Sequence, residues 1–432
     1  MPDGSTRSLA VLALALLVGC GEASEAPAPE TKSAAEPAPA AAPLAADLPN
    51  GLLLALSTFE QGADGKPVPR SELMVLTRSG GAWQARSTGD PESNVFHKAF
   101  VWTPPGQEPA VVTLGGSAAA VKLWRNDGSG LAPVATLWQA DFGGKFSRMR
   151  DAEVADLYGD GRAAIAVATH DQGVVAVLRP KPDGGFDTVE IDREPDTFVH
   201  EIEIGDLDGD GVPEVYATPS EPNRLDGTPQ SGHVVRYVPA KGEGRTVVAD
   251  LGTRHAKEIL VGDVDGDGRD ELYVSVEGEM GGEGGKQLIT PVEIRRYDAG
   301  TPADQGTVIA TLDDHLCRFL TAGDLDGDGK RELIAATFSS GIWRLRPGAD
   351  PKARWQSELV DADSAGFEHA ALIADLGGDG ASELYVASDR HKELRRYVWK
   401  DGKPVREVIY RRADDRPIFT WNLMPVPVAL IP

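Results

Sequence analysis

Residues 205–216 read GDLDGDGVPEVY, with three aspartates at alternate positions among three glycines, then a glutamate and the start of a β-branched and aromatic run. Carboxylates set this close repel one another unless a positive charge lies between them. Asp206, Asp208 and Asp210 fall at positions one, three and five of a loop, Val212 offers its carbonyl at position seven, and Glu214 follows at nine. These are hard oxygen donors at a spacing suited to Ca²⁺ rather than to the strict octahedron of Mg²⁺. Gly209 and Gly211 permit the positive-φ turns that wrap so short a loop. One Asp-Gly turn alone proves little, so repetition decides.

The motif returns as DLYGDGRAAIAVAT from Asp156, DVDGDGRDELYVS from Asp263, DLDGDGKRELIAAT from Asp324 and DLGGDGASELYVAS from Asp375. The intervals of 50, 57, 61 and 51 residues suit propeller blades rather than short solenoid turns. Each unit has one grammar: an apolar run ending in a small residue, the acidic loop, a β-branched run, a turn, a run ending in basic and aromatic residues, and a fourth short run. Four short strands per unit with no helical period predict an all-β propeller of four-stranded blades. A sixth unit begins at His97 without the acids. The seventh is split: RPIFTWN at 416–422 reads as an innermost strand with no blade after it, and residues 51–87 read as a blade lacking its first strand. Joined, they predict a seven-bladed ring in which a C-terminal strand completes the N-terminal blade and removes an open edge.

These five loops resemble the FG-GAP or VCBS repeats, which also occur in integrin α-subunit propellers, and the resemblance covers most of residues 48–432. It implies a propeller and calcium-bearing loops on the face opposite the usual ligand face. It implies little about activity, because such members include adhesins, sugar-binding modules and polysaccharide lyases.

Three loops are complete: Asp206, Asp208, Asp210 and Glu214; Asp263, Asp265, Asp267 and Glu271; Asp324, Asp326, Asp328 and Glu332, with the carbonyls of Val212, Arg269 and Lys330 at position seven. These predict three Ca²⁺ sites. A fourth, weaker site keeps Asp375, Asp379 and Glu383 but has Gly377 at position three, and the loop of Asp156 and Asp160 lacks the other ligands and is expected to stay empty. The role of the ions is structural, pinning blade corners.

Six residues before the first loop aspartate stand Arg150, His200, Lys257, Arg318 and His369, all basic, and the two degenerate units add His97 and Arg416. This position opens the innermost strand, so the side chains would circle the mouth of the central channel. A positive mouth on an acidic protein focuses a field on an anionic ligand. The competing reading is a girdle of salt bridges with Asp151, Glu201 and Glu258, which follow directly in three blades. Trp102 and Trp421 read as equivalent residues packed between blades.

The first fifty residues lie outside this frame. Residues 1–19 carry one arginine and an apolar run from Leu9 to Val18, a secretory signal too short to span a bilayer. LVGC at 17–20 resembles the lipobox of bacterial lipoproteins, which implies lipidation of Cys20. Gly21 in place of an aspartate implies the outer membrane in a Gram-negative envelope. Residues 20–47 are rich in Ala, Pro and Glu and read as a tether, with residues 48–432 as the propeller. With Cys20 lipidated, Cys317 has no disulfide partner. A net charge of −24 argues against nucleic acid, leaving the lipid anchor as the contact with a membrane.

The functional expectation is a lipid-anchored, extracytoplasmic, calcium-stabilised module that binds an anionic glycan or protein ligand, or serves cell-surface adhesion. Two alternatives remain: a polysaccharide lyase-like enzyme, in which a ring cation abstracts a proton beside a uronate, and a structural or assembly component of the envelope. No Gly-x-Ser-x-Gly elbow, His-Glu-x-x-His helix or phosphate loop is present.

Overall fold

Runs such as AIAVAT, ELYVSV and ELIAAT are apolar at nearly every position rather than at alternate ones, the pattern of strands covered on both faces. In the computed structural model they are the second strands of their blades and every residue in them is buried. The structure describes residues 44–431 apart from 118, 144–146, 171, 183–184, 223–229 and 414. Cys20, the signal segment and most of the tether lie outside the described residues.

Seven four-stranded antiparallel sheets follow in chain order. Blade 2 spans residues 96–139, blade 3 149–192, blade 4 198–250, blade 5 256–312, blade 6 317–361 and blade 7 371–411. Blade 1 joins Asn50–Gln61, Pro67–Ser79 and Ala82–Thr88 to the C-terminal strand Ile418–Pro427, which takes the innermost place beside Asn50–Gln61. A further small hairpin, Glu279–Gly281 with Gln287–Thr290, rises between the second and third strands of blade 5. The innermost strands touch in sequence round a closed ring, from Ile418–Pro427 through blades 2 to 7 and back.

Seven apolar clusters fill the seven interfaces between neighbouring blades. Leu52, Leu54 and Leu56 meet Tyr385 and Leu394 between blades 1 and 7, while Leu53 and Ala55 meet Phe96 and Val111 between blades 1 and 2. One strand thus feeds two cores through its alternating faces. Glycine ends two innermost strands for a steric reason where strands converge: a Cβ on Gly205 would stand 2.2 Å from Val261 Cγ1 of the next blade, and one on Gly323 2.6 Å from Ile373 Cγ2.

The chain is docked ahead of the first strand. Leu48 N–H donates to the Arg78 carbonyl at 3.2 Å, Arg78 Nε to the Ala45 carbonyl at 2.9 Å, and Asp47 accepts from Ser79 Oγ and Gly80 N–H at 2.9 Å each.

Candidate functional site

Five of the ring residues sit where their innermost strand slips register against the second strand. The ladder jumps from Phe96 to Lys98, Met149 to Asp151, Val199 to Ile202, Ala256 to Glu258 and Cys317 to Phe319, leaving His97, Arg150, His200 with Glu201, Lys257 and Arg318 in bulges. A bulge re-aims a side chain, which explains how one face of a strand presents a base and the next residue an acid. His369 precedes the short strand of blade 7 with φ +55°.

The seventh place belongs to Trp421 and not to Arg416. In blade 1 the slip falls between Asn422 and Thr420, so Trp421 is the bulged residue. Arg416 lies two residues before the strand and reaches Glu72 at 3.7 Å. Trp421 and Trp102 are not equivalent either: Trp102 ends its strand and packs on Phe186 at 5.5 Å between blades 2 and 3.

The six basic ring residues are buried. Their anionic partners are two carboxylates outside the repeat frame. Arg318 reaches Glu368 at 2.5 Å and Glu277 at 3.2 Å, Arg150 reaches Glu368 at 3.6 Å, Lys257 stands 4.0 Å from Glu277, and His255 3.0 Å from it. Burial by itself would raise the Glu277 carboxyl, but Lys257, His255 and Arg318 outweigh it and hold it at about 2. Burial and the Arg318 guanidinium push Lys257 down to about 8. Asp151, Glu201 and Glu258 do not form the girdle: they turn down the channel, where Asp151 meets Lys98 at 2.8 Å.

The histidines are latches. His97 Nδ1 donates to the Met149 carbonyl of blade 3 at 2.6 Å, and His369 bonds the Thr337 carbonyl of blade 6 at 2.6 Å and Ser364 Oγ at 2.7 Å. Burial, followed by nearby cations, holds His97 and His200 well below the ordinary imidazole value, and burial takes His369 to about 4. They therefore do not become extra cations on mild acidification.

Above the ring runs an arc of aromatic side chains. Phe338 meets Phe367 at 6.3 Å, Phe367 meets Phe419 at 5.1 Å, Phe419 meets Trp421 at 5.9 Å, Trp421 meets His97 at 4.7 Å, His97 meets His170 at 6.4 Å, and His170 meets Phe198 at 4.1 Å. Phe198, Phe338, Phe367, Phe419 and Trp421 are half-buried. Arg318 lies 4.9 Å from the Phe367 centroid and Arg150 5.3 Å from that of Trp421. The signal for this arc is in the sequence, where Phe198, Phe367 and Phe419 stand two residues before the ring positions of His200, His369 and Trp421.

On the other face, all five acidic loops fold alike, with the position-one aspartate accepting from loop N–H groups. Asp263, for example, accepts from Gly266, Asp267 and Gly268 at 2.7, 3.1 and 2.9 Å. Oxygens of Asp206, Asp208 and Asp210, of Asp263, Asp265, Asp267 and Glu271, and of Asp324, Asp326 and Asp328 converge within 4.8 Å. Positions one, three and five thus fit an oxygen-ligated divalent cation.

Position nine fits less well, because an arginine of the third strand addresses it in every acidic-loop blade from 4 to 7. Arg236 meets Glu214 at 2.7 Å and Asp208 at 3.3 Å, Arg296 meets Glu271 at 3.1 Å and Asp265 at 2.6 Å, Arg344 touches both Glu332 and Asp326, and Arg396 meets Glu383 at 2.6 Å. Tyr273 and Tyr385 also donate to Glu271 and Glu383, at 2.9 and 2.7 Å. These buried glutamates are satisfied from within the blade. In the loop of Asp156, Arg162 and Arg179 hold Asp160 at 2.5 and 2.9 Å.

The FG-GAP-like repeat model matches residues 156–217. No curated protein matches the sequence. Among solved structures, a putative 6-phosphogluconolactonase from Bacteroides fragilis is 16% identical with a TM-score of 0.50, over 88% of this chain and 98% of that one. One from Bacteroides uniformis is 14% identical with a TM-score of 0.50, over 88% and 100%. An Agrocybe aegerita lectin that recognises non-reducing terminal N-acetylglucosamine is 16% identical with a TM-score of 0.49, over 85% and 92%. At such identities the likeness concerns the fold. The sheets and the closed ring make the chain a seven-bladed β-propeller, and residues 156–217 of it are an FG-GAP-like repeat.

Proposed function

We propose that the protein is a lipid-anchored, extracytoplasmic binding module whose ring mouth takes a carbohydrate carrying anionic groups. The observation that carries this reading is the aromatic arc over buried cations. Half-buried Phe198, Phe338, Phe367, Phe419 and Trp421 offer apolar faces for sugar rings, and a concave site of aromatics with a few placed polar groups is the usual form of a small-ligand site. Beneath them Arg150, Lys257 and Arg318 share two carboxylates, Glu277 and Glu368, which leaves positive charge for a ligand carboxylate or sulfate. Calcium at the three loops belongs to the same proposal as a stabiliser of the opposite face. Anchorage through Cys20 rests on the sequence. Among the described residues no helix is long and apolar enough to cross a membrane.

A panel of neutral and acidic glycans tests the mouth. The double variant Phe367→Ala, Trp421→Ala should abolish binding of all sugars that bind, whereas Arg150→Gln should weaken only the acidic ones. Binding that survives both sets of changes refutes the site.

One observation favours a second reading. Lys257, buried between Arg318 and Glu277 with its pKa at about 8, is suited to take a proton beside a uronate whose carboxylate Arg150 and Arg318 neutralise. The lyase reading requires new ultraviolet absorbance from an unsaturated product, lost in Lys257→Gln.

A further inference from the structure

Below the ring, the channel encloses a cavity of about 140 Å³ whose two walls differ in kind. Blades 3, 4 and 5 line one side with Asp151, Glu153, Glu201, Glu203 and Glu258 together with Arg150, and blade 2 adds His97 and Lys98. Blades 6, 7 and 1 line the other with half-buried Phe319, Leu372 and Met424.

Five carboxyl groups face two cations there, the Lys98 ammonium and the Arg150 guanidinium. Lys98 serves Asp151 at 2.8 Å and Glu153 at 2.5 Å, and Glu201 hydrogen-bonds Asp151. Glu258 is left over. It is 4% exposed and lines the cavity, yet it makes no hydrogen bond or ion pair among the described residues. Arg150, which lines the same cavity, and Arg318 attract it without reaching it, and both make their ion pairs with Glu368. A buried carboxyl without a partner carries a desolvation penalty that a bound cation would relieve. Burial and neighbouring acids lift Glu201 and Glu203 well above the carboxylate range, and burial does the same to Glu258 against the opposing pull of Arg150 and Arg318.

We propose that the channel binds a small organic cation, a primary ammonium on a short hydrocarbon chain, with the ammonium on Glu258, Glu201 and Glu203 and the chain against Phe319, Leu372 and Met424. A bare metal ion fits poorly. Among the described residues, carboxylate oxygens converge within 4.8 Å in threes at the three loops and not in the channel, and the hydrocarbon wall would strip water from the ion without replacing it. The volume suits a molecule near benzene in size, since a cavity of about 150 Å³ admits benzene. The cavity shares His97, Arg150 and Trp421 with the ring above it, but the proposal does not rest on the carbohydrate reading.

The test is calorimetry of the full chain at about pH 8 with n-butylammonium chloride, n-butanol and ammonium chloride, in two buffers of different ionisation enthalpy. Expected are saturable binding of one butylammonium per chain with proton release, affinity at least about tenfold above that for ammonium, and no binding of butanol. Glu258→Gln should weaken butylammonium at least about tenfold. Glu203→Gln, at a half-exposed position that tolerates change more readily, should weaken it in the same direction. No saturable binding, equal affinity for butanol, or unchanged affinity in both folded variants overturns the proposal.

Discussion

Replacing His369 by Asn separates a structural latch from a ligand-binding cation. In the folded protein the His369 imidazole sits at about 4 against an ordinary 6.5, because its complete burial outweighs the bond to the Thr337 carbonyl, which favours the protonated ring. The sign follows from linkage: the unfolded chain takes the proton first, so the stability tied to neutral His369 is complete above pH 6.5 and drains as pH falls towards 4. At about 1.36 kcal/mol per pH unit, roughly 2.5 kcal/mol is lost between about pH 7.5 and pH 4.5. Asparagine tolerates the left-handed φ of +55° and can still donate to the Thr337 carbonyl, but it gives up Ser364, a loss of about 1 kcal/mol. The variant should therefore be about 1 kcal/mol less stable than the parent at about pH 7.5 and about 1.5 kcal/mol more stable at about pH 4.5. Urea unfolding of both proteins at the two pH values measures this. The opposite trends of Glu201, Glu203, Glu258 and Asp389, whose raised carboxyls add stability as pH falls, cancel in the comparison. Parallel pH profiles for the two proteins would refute the latch.

Arg296→Met should destabilise the fold by about 3 kcal/mol in chelator, since it strands buried Glu271 and Asp265, and should make added Ca²⁺ more stabilising than in the parent by freeing both acids; an unchanged calcium response counts against the clamp. In the parent, Ca²⁺ should raise the melting temperature, and Asp206→Asn, Asp263→Asn and Asp324→Asn together should remove that rise. If chelator and calcium give one melting curve, the loops are only turns. Cys20→Ser should move the protein from the detergent phase to the aqueous phase on partitioning, and a variant that matures and stays in the detergent phase would exclude lipidation.

Five acidic loops at blade spacing were enough to read the propeller, because loop and second strand carry a fixed sequence in each unit. Blade 1 was legible as split, yet its register was not. Its innermost strand runs on towards the C-terminus without an acidic loop to count from, so Arg416 was aligned where the bulge places Trp421. Glu277 and Glu368 escaped for a similar reason: they sit in connections between strands, where the repeat imposes no residue. The third-strand arginines were visible in HVVRY, VEIRRY, GIWRLR and ELRRY, but spacing along a strand does not say that Arg236, Arg296, Arg344 and Arg396 turn to the acidic loops. The ring bases were found by identity, while burial, which turns His97 and His369 into neutral hydrogen-bonding groups, depends on neighbouring blades.

The closing strand sets a timetable for synthesis. Trp421 Nε1 donates to Ser57 Oγ at 2.8 Å across 364 residues of chain. At about 5–20 residues per second, the LLLAL segment of Leu52–Leu56 waits roughly 20–70 s for the partner that covers its edge. During that interval the nascent polypeptide displays a leucine-rich β-segment with free N–H and C=O groups, the kind of sequence that recruits other chains into aggregates. A holdase that keeps this segment occupied until residues 418–427 emerge would raise the yield of closed rings.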